Sequence, residues 1–277
     1  MHLNVEIKFF MMIFTLNSNI NHVLHFLVKD IMCHDLIYAK NFKKKHKKPY
    51  IIGISGSVAS GKSTISQWLR IILQQYFIKK TVSVINTDSF LYPNKVLNTL
   101  GLMTQKGFPI TYNIDFLVRF FLDVKSGMSN MIIPVYSHFF YDIIPDFHRV
   151  VYSSDIFIIE GLHILYPFLY KRKDLSYLSN IFNFSIYIDA NDTSLIRWYL
   201  SRFLKLRYMS QFYSNSFFND YSKMSYTEVI NSAMEIWYNI NYKNLKKHIS
   251  PTRRYADCII KKRYNHSIDF VQFKNNS

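Results

Sequence analysis

Residues Gly56 to Ser63 read GSVASGKS. Two glycines separated by four residues, then a lysine and a hydroxyl, are what a backbone needs to wrap a polyphosphate. Glycine lets the chain turn tightly, so the N–H groups of Ser57, Val58, Ala59, Ser60 and Gly61 can point inward at phosphate oxygens. Lys62 would reach the β- and γ-phosphates of ATP, and the Ser63 hydroxyl would bind Mg²⁺. Thr64 follows in the first turn of a helix whose positive end adds to the attraction. The chain has only 7 glycines in 277 residues, so two at this spacing are not a by-product of composition.

Other polar residues sit where a second reactant would be handled. Asp88, in NTDSFL, could take the proton of an attacking hydroxyl or hold a metal, or simply cap a turn. Glu160 ends the apolar run DIFIIE, a Walker-B-like pattern that puts a carboxylate near Mg²⁺ or its water shell; a surface Glu at a strand end is the plain alternative. Arg202 and Arg207, in WYLSRFLKLR, could stabilise charge on a transferring phosphoryl group. By spacing alone the plainer reading, the basic face of an ordinary amphipathic helix, is favoured. His138, in VYSHFFYD, could bind an anionic or hydroxyl-bearing substrate or be a core histidine among aromatics.

These residues need a frame that brings them together. YIIGIS from Tyr50 predicts a buried parallel strand, and Lys62 to Phe77 a helix with Ile65, Leu69, Ile72 and Leu73 on one side. Strands are predicted at Thr81–Asp88, Asp155–Glu160 and Phe184–Asp189, with a short last one at Ile259–Lys261. Helices are predicted at Asn21–Ala39, Ile114–Lys125, Asp192–Leu206 and Tyr226–Lys247. Strands alternating with helices predict an α/β fold: a doubly wound, mostly parallel sheet flanked by helices, of the P-loop kinase type. In such sheets ligands gather at the carboxyl ends of strands, where Asp88 and Glu160 fall. The basic run Lys43–Lys48 and Pro49 divide an N-terminal helical extension and linker, residues 1–48, from a P-loop domain, residues 49–277.

The chain is 49% hydrophobic and 17% aromatic, enough for one large core. Its net charge of +16 accompanies abundant Lys, Asn, Ile, Phe and Tyr. That composition is typical of AT-biased coding, and no RNA-binding aromatic motif or helix-turn-helix accompanies it. A basic nucleic-acid binder with a vestigial nucleotide site is therefore the weaker reading. Cys33 and Cys258 form no CxxC pair or secreted framework. The apolar patch Val5–Leu16 is too short to span a bilayer and lacks a cleavage site, so a cytoplasmic protein without a membrane anchor is expected.

Several longer segments, namely PYIIGISGSVASGKST, NTDSFLYPNKVL, GLMTQKGFPITY, PVYSHFFYDIIPD, IIEGLHIL, FSIYIDA, WYLSRFLKLR and NINYKNLKKHISPTR, together resemble the bacterial type I pantothenate kinases. The likeness runs in order from about Tyr50 to Val271. It implies phosphorylation by ATP of the primary hydroxyl of pantothenate, the first step of coenzyme A synthesis, by a homodimer that coenzyme A inhibits. It further implies Asp88 as the base, Lys62 and Arg202 on the phosphates, and Ser63 and Glu160 at Mg²⁺. Tyr136, His138, Tyr199 and Asn241 would line the pantothenate site, and His266, after Asn265, would contact adenine. Some positions depart from the family pattern. Ser89 stands for Gly, Tyr92 for His, and His163 for the Asn of EGLN. Gln67 stands for Arg and Leu206 for Phe, both in the family's coenzyme A-binding region. A uridine kinase or phosphoribulokinase relative would share the P-loop and Asp88 but not the KGFP and PVYSH segments.

Overall fold

Every residue of strand β1, Tyr50–Gly56, is buried, as its apolar run predicts. The computed structural model describes residues 18–40, 48–166, 181–212 and 216–274. The expectations for Val5–Leu16 and for most of the basic run lie outside those residues. β1 is central because helices cover the sheet on both faces. Tyr50, Ile52 and Ile54 enter one core and Ile51 the other, the two-sided burial of a parallel strand. Each fully buried Ile contributes roughly 1.5–3 kcal/mol, so this strand anchors both layers.

The other strands are β2 (Val82–Asn86), β3 (Asn130–Ser137), β4 (Asp142–Tyr152), β5 (Ile156–Glu160), β6 (Phe184–Ala190), β7 (Cys258–Lys262) and β8 (Ile268–Phe273). Six form one sheet in the order β2-β5-β1-β6-β7-β8, and β3 and β4 pair as a separate ribbon. Within the sheet only the β7–β8 pair is antiparallel. The long helices are α1 (Ser18–Lys40), α2 (Lys62–Tyr76), α3 (Ile114–Ser126), α4 (Asp192–Ser210) and α5 (Tyr226–Ile236). α1 and α2 pack on one face through Val23, Leu27, Ile31, Trp68 and Leu69. α3, α4 and α5 build the opposite core around Phe120, Phe121, Trp198 and Trp237.

Four points need correction. The strand predicted at Ile259–Lys261 is not the last: β7 is followed by antiparallel β8, which has only Ile268 buried and so lacks a continuous apolar run. The strand predicted over Thr81–Asp88 stops at Asn86, and Thr87–Phe90 forms a single 3₁₀ turn. The Asn86 side chain accepts a 2.7 Å bond from the Asp88 N–H and ends the strand early. The helix from Tyr226 starts on a Ser225/Glu228 capping box and then widens into π turns at Trp237–Tyr242 and Leu245–Ile249. The β3–β4 ribbon was not anticipated, because it packs by one face only and Pro134, Pro145 and Asp146 interrupt its pattern. Its register shifts between Pro134 and Tyr136, a bulge that re-aims the residues following it.

Candidate active site

Register brings the polar strand ends together. Glu160 of β5 lies opposite Ile54 of β1 and Asn86 of β2, so β1, β2 and β5 end at one level. The P-loop leaves β1 there. Gly56 and Gly61 have φ of 148° and 91°, and a Cβ on Gly56 would lie 2.6 Å from the Ile188 carbonyl. Gly61 caps α2 without a side-chain hydrogen bond, which leaves the first-turn N–H groups available to an anion.

Lys62 Nζ donates to the carbonyls of Gly56 and Ser57 at 3.1 and 2.8 Å. Burial pulls its pKa down to about 8, opposed by Glu160 and Asp88 and assisted by Arg202. Ser63 Oγ donates to Glu160 Oε2 at 3.0 Å, and Asn86 Nδ2 donates to Glu160 Oε1 at 3.3 Å. Burial raises the Glu160 pKa, while Lys62 and the Ser63 bond pull it back. Asn86 thus ties Asp88 to Glu160, a link that the sequence reading missed. Among the described residues no group of three or more His, Cys, Asp and Glu side chains could hold a metal ion. One hydroxyl and one carboxylate beside a phosphate cradle suit Mg²⁺, which keeps waters and takes phosphate oxygens.

Two cavities meet at this point. The first, of about 380 Å³, is lined by Asp88, Tyr136, Tyr199, Asn241 and apolar side chains such as Leu206 and Phe218. The second, of about 920 Å³, lies between Thr64, Trp198, Lys205, Lys262 and His266. Ala59, Lys62, Ser63, His138 and Arg202 line both. Asp88 faces the first cavity with Tyr112 Oη 3.5 Å from Oδ1 and His138 Nε2 3.8 Å from Oδ2. Burial lowers the His138 pKa, with Asp88 opposing. Tyr199 and Asn241 share a hydrogen bond, and burial raises the Tyr199 pKa.

In the second cavity the His266 ring stacks on Trp198 at 4.2 Å. Lys262 Nζ donates to the Ser60 carbonyl at 2.9 Å, and burial pulls its pKa to about 8. The structure therefore brings Lys62, Ser63, Asp88, Glu160, Arg202, Tyr136, His138, Tyr199 and Asn241 around one junction, with His266 lining only the second cavity. Arg207 is elsewhere: its guanidinium donates to the carbonyls of Tyr221 and Met224. Sequence reasoning assigned nothing to Lys106, Tyr112 or Lys262, although the first two lie in the GLMTQKGFPITY segment.

A P-loop opening a helix, with carboxylates at neighbouring strand ends on a doubly wound sheet, defines a P-loop small-molecule kinase. Residues 51–236 match the phosphoribulokinase/uridine kinase family. The chain belongs to that family and, within it, to the pantothenate kinases. It is 43% identical over 228 residues to the pantothenate kinase of Yersinia enterocolitica, spanning 82% of this chain and 72% of that protein. Against the pantothenate kinase of Parvibaculum lavamentivorans the identity is 46%, over 82% of this chain and 70% of the relative. More distant solved structures share the fold. D-glycerate 3-kinase from Cryptococcus neoformans var. grubii superimposes with a TM-score of 0.61 at 11% identity, over 91% of this chain and 99% of the other. Phosphoribulokinase from Rhodobacter spheroides does so at 0.51 and 13% identity, over 83% and 81%.

Proposed function

We propose that the protein transfers the γ-phosphoryl group of ATP to the primary hydroxyl of pantothenate, giving 4'-phosphopantothenate. The observation that carries this reading is the junction itself. Lys62 and Arg202 line both cavities, and Asp88 faces only the one opposite the nucleotide cleft. ATP in the larger cleft would lay its triphosphate along Gly56–Thr64 and its adenine against His266. Pantothenate in the smaller cavity would present its hydroxyl to Asp88. Its other polar groups would meet Tyr136, His138, Tyr199 and Asn241.

The hydroxyl oxygen then bonds to the γ-phosphorus, the bond from phosphorus to the β–γ bridging oxygen breaks, and the hydroxyl proton passes to Asp88. An alcohol is weakly acidic, so Asp88 chiefly orients it and takes the proton late. Lys62 and Arg202 offset the charge spreading over the transferring group. Bound Mg²⁺, held by Ser63 and the phosphates with Glu160 beside it, would supply further charge neutralisation. The Asn86 bonds to Glu160 and to the Asp88 N–H keep the two carboxylates at a fixed relation.

Phosphorylation of pantothenate and of uridine, each with ATP and Mg²⁺, tests the reading. Turnover of pantothenate is the expected result; turnover of uridine alone would refute it. The same reading carries a cytoplasmic homodimer inhibited by coenzyme A, to be checked by sedimentation and by inhibition at varied ATP. Among the described residues no helix is long and apolar enough to cross a membrane.

A further inference from the structure

One backbone carbonyl beside the smaller cavity is held twice. The Gly107 oxygen receives His163 Nε2 and Asn244 Nδ2, both at 2.7 Å. Both side chains are almost completely buried, at 4% and 2% exposure. A carbonyl has two lone pairs, so the two donors saturate it. Because its partner is an acceptor, Nε2 carries the proton. Burial pushes the His163 pKa down to about 3, so the ring stays neutral with that tautomer at any working pH. The segment after Gly107 is stapled as well. The Gly107 N–H donates to Thr111 Oγ1 at 3.1 Å, and that hydroxyl donates to the Phe108 carbonyl at 2.7 Å.

The residue before this carbonyl is Lys106, 5% exposed and lining the cavity. Its Nζ donates to Asn94 Oδ1 at 2.5 Å and to the Tyr141 carbonyl. It also lies 4.3 Å from the Tyr141 ring centre and 5.2 Å from that of Tyr136. Tyr141 has φ 53°, a left-handed conformation that a tyrosine keeps only when its surroundings hold it. Contacts therefore run unbroken from the end of β5, through His163, the Gly107 carbonyl and Lys106, to the tyrosine wall formed by the ribbon. Glu160, three residues before His163, is bonded to the P-loop serine. One strand end thus reaches both halves of the site.

We infer that His163 and Asn244 are a positioning pair, which by fixing the Gly107 carbonyl sets Lys106 and the tyrosine wall against the phosphoryl acceptor. The inference rests on the acceptor site described under the proposed function. His163 lines neither cavity; Asn244 lines the smaller one, but its Nδ2 is spent on the Gly107 carbonyl. Their effect is on acceptor capture, and nucleotide capture is left alone.

The test uses His163→Leu, which keeps volume without the donor, Asn244→Ala, Lys106→Met and the His163→Leu/Lys106→Met double variant. Losing one such hydrogen bond should raise KM for pantothenate about tenfold, with KM for ATP within about twofold of wild type. His163→Asn, which restores a donor, should bring KM back most of the way. Once Lys106 is Met, His163→Leu should add less than about twofold, since both act along one line of contacts. Amide hydrogen exchange over residues 103–112 and 136–142 should quicken in His163→Leu, whatever the substrate. Unchanged exchange, parallel rises in both KM values, or additive effects with Lys106→Met would overturn the inference. If His163→Leu does not fold, Asn244→Ala decides by the exchange measurement and by its additivity with Lys106→Met, because Asn244 itself lines the smaller cavity. Should the wild type phosphorylate only uridine, the proposed function fails, and the exchange experiment still decides the pair.

Discussion

ATP binding is expected to draw protons from solvent at alkaline pH. Burial pulls both Lys62 and Lys262 from an ordinary 10.5 to about 8. A group with that pKa is about three-quarters deprotonated at pH 8.5 and only ~3% deprotonated at pH 6.5. Phosphate oxygens entering the cradle favour the charged lysine and restore its proton. The expected uptake is therefore ~0.75 proton per lysine, or ~1.5 per ATP at pH 8.5, and nearly none at pH 6.5. Titration calorimetry of the nucleotide with Mg²⁺, in two buffers of different ionisation enthalpy, reads this number as the slope. Lys262→Met should halve the slope at pH 8.5. In kinetics, one such ionisation lowers kcat/KM for ATP ~tenfold between pH 7 and 9, and the limb should be shallower in Lys262→Met than in wild type. Stability has the opposite sign. Between pH 8 and 10.5 the unfolded chain holds protons that the folded empty protein has shed, so these lysines destabilise most below pH 8 and cost less as pH rises. A buffer-independent heat at pH 8.5, with a flat kcat/KM for ATP from pH 7 to 9, would refute the argument.

Three further outcomes are expected. Asp88→Asn should lose ~10²–10⁴ in turnover while nucleotide affinity by calorimetry stays near wild type; near-normal turnover would remove Asp88 as the base. In Gly161→Ala the new Cβ would lie 1.8 Å from Thr87 Oγ1, forcing apart the turn that carries Asp88 and the strand that carries Glu160. Denaturant unfolding should show a loss of about 1–3 kcal/mol or more, and an unchanged midpoint would contradict that packing. Gln67 is exposed on α2 and accepts from Arg70 at 3.0 Å, and Leu206 lines the smaller cavity. The Gln67→Arg/Leu206→Phe variant should be inhibited by coenzyme A at lower concentration than wild type; equal inhibition would show these two positions do not set the control.

What the sequence made legible divides along physical lines. The parallel strands were readable because strands buried on both faces must be mostly apolar, as β1, β5 and β6 are apart from Ser55, Glu160, Ser185 and Asp189; antiparallel β8, with only Ile268 buried, was not. The P-loop was readable because its backbone geometry demands glycine at fixed spacing. The β3–β4 ribbon escaped because a one-sided antiparallel pair with prolines and a bulge has no such continuous signal. Yet Tyr136 and His138 lie at that ribbon's end, so their assignment rested on resemblance and their position had to come from the structure.

The least legible part of the site is the part held through backbone. Asn86, Asn244, His163 and Lys262 each bond a main-chain group: the Asp88 N–H, the Gly107 carbonyl twice, and the Ser60 carbonyl. A main-chain partner leaves no residue type at the other end of the bond. No motif records these contacts, and two are separated in sequence by 137 and 202 residues. Lys262 shows what such a contact can decide. The Ser60–Gly61 peptide is planar and trans, so its carbonyl and N–H point opposite ways. Pinning the carbonyl on Lys262 turns the Gly61 N–H away from the lysine. The cradle motif specifies that glycine; the direction of its N–H is set by a lysine on the last parallel strand. Lys262→Met should therefore weaken ATP binding through backbone disorder as well as through lost charge. Lys262→Arg, which keeps the charge in a longer and planar group, should recover only part of it.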